Sequence, residues 1–138
     1  MDGRARRLAA LAAVVLVQAC GGSGSSQPQQ VKPGTWSSDG LVLVVTAAGG
    51  TAHFCCAIGS IGQPLTLDAA GHFQAGGTYL YQGGPIPVGG NQPVPAQYSG
   101  VVIGSVMTLS VVTPSQTLGP YSLTFDPSGA LKGCVCPL

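Results

Sequence analysis

From about residue 35 onward, apolar and polar positions alternate in short runs broken by turn-forming residues. Leu41 to Thr46 is short and β-branched, Ala47 to Gly50 supply a turn, and Thr51 to Ala57 read as the returning strand. Leu65-Thr66-Leu67 runs into Asp68-Ala69-Ala70-Gly71, where Asp can bond the backbone and Gly supplies positive φ. His72 to Tyr81 form the next strand, and a Gly/Pro-rich loop occupies residues 82–95. Tyr98 to Ile103 and Val106 to Val112 predict a tight hairpin about Gly104-Ser105. Tyr121 to Phe125 and Ala130 to Cys136 predict a last hairpin about Asp126-Pro127-Ser128-Gly129. No segment of this region sustains a helical period. About eight short strands in hairpin order predict an all-β fold: a small antiparallel meander β-barrel, or alternatively a two-sheet β-sandwich. Closure would remove the sheet edges that such apolar strands otherwise expose.

The N-terminal pattern is different. Arg4, Arg6 and Arg7 precede an unbroken apolar run from Leu8 to Val17. That run is too short to span a bilayer, which takes about 20 residues. It ends in Val17-Gln18-Ala19-Cys20, followed at once by Gly21-Gly22-Ser23-Gly24-Ser25-Ser26. This resembles a bacterial lipoprotein signal peptide with its lipobox, from which Gln18 departs because small or β-branched residues are commoner there. The resemblance implies cleavage before Cys20, a diacylglycerol on its thiol and acylation, typically by palmitate, of the freed amine. One chain binds membranes marginally, whereas two or three anchor stably. Gly21 stands where Asp commonly retains lipoproteins at the inner membrane, so the resemblance implies a lipid-anchored protein of the bacterial envelope, in the outer membrane. Ordinary secretion with cleavage near Ala19 is the alternative. The expected organisation is a signal peptide over 1–19, a lipidated Cys20 with a flexible Gly/Ser/Gln/Pro tether over 20–34, and a barrel domain over 35–138. Gly34-Thr35-Trp36, at the start of that domain, is similar to the opening of lipocalin-type barrels and implies that shape.

Charge narrows the partners. The formal net charge is +1, but all three arginines lie in the signal. Beyond Cys20 only Lys32 and Lys132 oppose Asp39, Asp68 and Asp126, with no Arg and no Glu. Nucleic-acid binding needs clustered basic residues, so that class is excluded. No polybasic patch serves anionic lipid either. The membrane is therefore engaged through the lipid anchor, and the remaining partners are a protein or a small apolar ligand.

Cys55, Cys56, Cys134 and Cys136 form an even set in an exported domain, which reads as two disulfides. Neighbours in a strand face opposite sides, so Cys55 and Cys56 diverge. Phe54 places Ala52, Phe54 and Cys56 on the core face. Cys56 is therefore expected to bond one member of the C-terminal pair and Cys55 the other, with a vicinal Cys55–Cys56 bond as the strained alternative. A metal reading competes: His53, Cys55, Cys134 and Cys136 would make a closed tetrahedral zinc set, and Cys-x-Cys suits Cu(I). Oxidising export favours disulfides, and no cofactor is expected.

No catalytic constellation emerges. The aspartates occupy turn-like positions, His53 and His72 have no evident acid partner, and no Gly-x-Ser-x-Gly elbow occurs. The loop 82–95 carries Ile86 and Val88 between prolines, with Tyr79, Tyr81 and Tyr98 flanking it. These five residues are the expected binding surface. The reading is a non-enzymatic binding or interaction module. Its alternatives are a lipocalin-type carrier of a small apolar ligand, or a Cys/His metal or thiol protein.

Overall fold

The computed structural model describes residues 29–132 and 134–136. Cys20, the expected signal peptide and the first part of the expected tether lie outside the described residues. Ten strands follow in order: β1 (Gln29–Gln30), β2 (Gly34–Ser37), β3 (Leu41–Thr46), β4 (Gly49–Phe54), β5 (Ala57–Ile61), β6 (Thr66–Leu67), β7 (His72–Tyr81), β8 (Val94–Ile103), β9 (Val106–Val112) and β10 (Thr117–Phe125). Eight of them close into an antiparallel barrel in the order β10-β2-β3-β4-β5-β7-β8-β9, while β1 and β6 form a separate two-stranded sheet. Every neighbour around the barrel is a chain neighbour, apart from the step over β6 and the β10–β2 closure. This is the meander barrel that the alternation predicts, and not the sandwich.

Strand ends sort the loops between two mouths. The β2–β3, β4–β5, β7–β8 and β9–β10 connections share one mouth; the β3–β4, β5–β7 and β8–β9 connections share the other. The β1–β6 sheet belongs to the second mouth, where Val31 and Leu65 are buried against the barrel core. Residues 29–34, assigned above to the tether, are thus part of the fold. Trp36 Nε1 donates to the Lys32 carbonyl at 3.0 Å and fixes this segment further.

Alternation explains the interior. Inward positions carry Trp36, Leu43, Phe54, Phe73, Tyr98 and Leu109, all buried. Small residues face them: Ala52, Ala75, Ala96 and Gly59. A Cβ placed on Gly59 would collide with the Tyr98 hydroxyl, which donates to the Thr78 carbonyl at 2.6 Å. Small barrels fill their interiors in this large-against-small way. Gly59→Ala is expected to cost about 1–3 kcal/mol by overpacking. In a Tyr98→Phe background the same substitution should cost less, because the colliding oxygen is gone. Urea midpoints of the four-member cycle measure the coupling. Additive costs would show that Gly59 is not there to admit the hydroxyl.

Several boundaries differ from the alternation reading, β4 for one beginning at Gly49 within the expected turn. The expected strand Thr51–Ala57 is two strands, since His53 pairs with Ile58 and leaves only Cys55 and Cys56 to turn the chain. β8 begins at Val94 and not Tyr98; Pro95 is tolerated because the β9 partners of β8 start only at Gln97. β10 begins at Thr117, absorbing a register shift between Leu118 and Tyr121. Among the described residues of the expected strand Ala130–Cys136, none is in a strand. β10 is already paired to β9 on one side and β2 on the other, so closure leaves the tail no edge to join.

Candidate functional site

The mouth opposite the β1–β6 sheet gathers most of the residues singled out in the sequence. At its corner the β4–β5 turn presents Cys55 and Cys56, bonded to Cys134 and Cys136 with Cα–Cα distances of 5.0 and 5.4 Å. The inter-segment pairing agrees with expectation, but the reasoning through strand faces does not apply. Both cysteines sit at the tip of a turn, and the C-terminal pair sits on an unpaired tail. All four thiols are consumed, which corrects the alternative metal set of His53, Cys55, Cys134 and Cys136: no thiolate remains to bind an ion. His53 lies on the outer face of β4, paired with Val42.

The tail is a strap. Gly129 lies against the Ser37 side chain, and Cys134 reaches Cys55. Ser37, Val42 and His53 form one outward-facing row across β2, β3 and β4 between those anchors. Val42 is buried despite facing outward. This resolves why β3 reads as a continuous apolar run and not as an alternation: such strands are covered on both faces.

The loop 82–93 leaves from the same corner. The Gln82 amide donates to the Cys56 carbonyl at 2.7 Å. A turn over Pro87-Val88-Gly89-Gly90 closes with Gly90 N donating to Pro87 O at 2.9 Å. Gly89 holds φ +92° at the third turn position, as a type II turn requires. Asn91 Nδ2 donates to Tyr81 O at 2.8 Å and folds the loop back on β7. The result is a cross-braced prong with Val88 fully exposed and Ile86 73% exposed at its tip. Tyr81 stands at its base, 42% exposed, because β7 runs on past its last β8 partner, Val94. Hollows of about 180 and 380 Å³ flank Tyr81, and neither is lined by a charged residue.

The other two tyrosines do not belong to this surface as expected. Tyr98 is completely buried in the barrel interior, where desolvation pushes its hydroxyl up to about 12. Tyr79 points inward too, its ring edge-on to Phe54 at 5.3 Å, and reaches only the floor of the smaller hollow. Parity carries the signal that would have found this. Tyr98 shares a face with Ala96, between outward Gln97 and Ser99, and Tyr79 shares one with Phe73 and Ala75.

Asp68 and Asp126 brace turns. Asp68 Oδ1 accepts from the His72 and Ala70 amides, both at 2.9 Å, and the His72 bond is the larger cause holding its carboxyl below the usual range. Asp126 Oδ1 accepts from the Ser128 amide at 3.1 Å and its hydroxyl at 2.9 Å. Comparisons of this chain with protein-family models, curated proteins and solved structures found no match. The chemistry of the molecule therefore rests on its own geometry.

Proposed function

We propose that this chain is a lipid-anchored envelope lipoprotein whose barrel is a non-enzymatic binding module, with the 82–93 prong as its contact surface for a protein partner. The observation that carries the reading is the prong itself: Ile86 and Val88 held out in water on a braced loop. Burying an aliphatic side chain of this size contributes about 1.5–3 kcal/mol. Two together reach the scale of an interface hot spot. The bracing reduces the ordering cost on binding. Placement supports it as well. The described chain enters at the mouth with the β1–β6 sheet, so an anchor at Cys20 leaves the prong at the far mouth, free to meet a partner.

The carrier reading is less favoured. Inward positions are occupied by large buried side chains, and the hollows found among the described residues lie at a mouth or on the outer wall.

A photo-crosslinking amino acid at position 88, expressed in a bacterial host, tests the proposal. The expected result is a discrete adduct in the membrane fraction. Adding Ile86→Ser should lower its yield at least tenfold, and Cys20→Ala should move the protein out of that fraction. The same adducts from a probe at Ala47, at the opposite mouth, would sink the prong assignment.

A further inference from the structure

A hollow larger than the two beside Tyr81 lies away from the prong. It is a groove of about 750 Å³ on the outer wall, within the roughly 300–1,000 Å³ of small-molecule sites. Two cross-strand rows make its floor: His72, Val101 and Thr108 in one, Gln74, Ser99 and Ser110 in the next. Thr66, Leu67 and Asp68, carried by β6 and the turn after it, raise a wall along one side. A strand face on a convex barrel is ordinarily flat; here β6 and the turn after it wall one side of it.

Three features select the ligand chemistry. First, the lining contains no Lys or Arg, so a phosphate or polyanion finds no counter-charge. Second, none of the side-chain hydrogen bonds among the described residues uses Gln74, Ser99, Thr108 or Ser110. A purely apolar ligand would strip water from these groups and return nothing. Third, more of the groove's exposed lining is apolar than polar, with Leu67 and Val101 beside the polar groups, so the ligand must offer apolar faces as well as hydroxyls. Asp68 commits Oδ1 to two backbone amides, which fixes the carboxylate and leaves Oδ2 as an acceptor.

We propose that this groove binds a neutral polyhydroxylated ligand, an oligosaccharide. Sugar hydroxyls donate and accept at once, as the facing Ser, Thr and Gln groups do. Sugar C–H faces lie on Leu67 and Val101. The site is separate from the prong and does not depend on it. Affinity from neutral hydrogen bonds in an open groove is low, on the order of 1 mM.

Amide chemical-shift mapping of the 15N-labelled chain tests this. The probes are cellohexaose, maltohexaose and the hexamer of N-acetylglucosamine, each to about 10 mM so that a millimolar site fills. Glucose and N-acetylglucosamine form a second arm that separates a free sugar from a chain. The expected result is saturable shifts confined to residues 66–74, 99–101 and 108–110 with at least one neutral sugar. Gln74→Ala with Thr108→Ala, both exposed and benign to the fold, should weaken it at least tenfold. No shifts with any probe, shifts at 82–93 instead, or binding unchanged in the double variant would each overturn the proposal.

Discussion

Converting Cys55 and Cys56 to serine together is expected to cost more than either change alone, by a margin set by chain entropy. The bonds enclose sequence separations of 79 and 80 residues. A loop of that length contributes about 4.5 kcal/mol in the entropy treatment. The bonds are interlaced, however, and their ends lie side by side. Once Cys55–Cys134 has formed, Cys56–Cys136 closes a ring of only about five residues, worth about 2 kcal/mol on the same formula. Each single variant should therefore lose about 2 kcal/mol and the double variant about 6.5 kcal/mol. Urea unfolding of the three variants measures this. Reduction of the unaltered chain should reproduce the double variant while keeping its β-type circular dichroism, because the tail pairs with no barrel strand. Equal losses in all three variants would rule out this division between a long and a short loop.

The disulfide corner also shows where sequence reading stops. Period-two alternation identified β3, β7 and β9 because each has a buried face and a wet one, or is apolar throughout. The hairpin at Gly104-Ser105 was legible for the same local reason, since a two-residue turn favours positive φ and Gly104 has φ +61°. Cys55-Cys56 carries none of that chemistry. No Gly, Pro, Asn or Asp marks the turn, and alternation runs smoothly through it. The tail fixes that corner from 79 residues away, so no local window contains the information. Val31 was hidden similarly, a lone apolar residue among polar neighbours whose burial depends on β6. The prong was legible, because glycines, prolines and two aliphatic residues are a local pattern. Parity places Tyr79 and Tyr98 inward, but it gives Tyr81 the same face as Tyr79, and the exposure of Tyr81 depends on where the β7–β8 pairing ends. The groove was invisible in sequence. Its floor exists only through the register of β7, β8 and β9, and its wall only through the β1–β6 excursion.

Trp36→Ala is expected to produce the largest loss from any single side chain. The ring is 1% exposed, edge-on to Phe125 at 5.2 Å, with Nε1 donating to Lys32 O. Its position matters as much as its size. Barrel closure between β10 and β2 rests on two paired positions, Thr124 with Ser37 and Phe125 with Trp36, extended by Asp126 N donating to Thr35 O. The ladder is thin there, so the Trp36–Phe125 contact holds the seam. Truncating a buried Trp costs about 3–5 kcal/mol, a large part of the 5–15 kcal/mol typical of a domain. Trp36→Phe should recover part of it, keeping aromatic volume but leaving the Lys32 carbonyl without its donor. Lys32→Ala should cost under about 1 kcal/mol, since it removes only the ammonium 4.1 Å over Phe125 and spares the backbone carbonyl. Thermal and urea midpoints rank the three. Trp36 is the chain's only tryptophan, so its emission in the unaltered protein reports the seam directly, blue-shifted and shielded from acrylamide while the barrel is closed. A Trp36→Ala loss no larger than that of Lys32→Ala would mean that the ladder closes the barrel without the ring. In that case the segment from Gln29 to Val31 would be held by its pairing with β6 and Leu65.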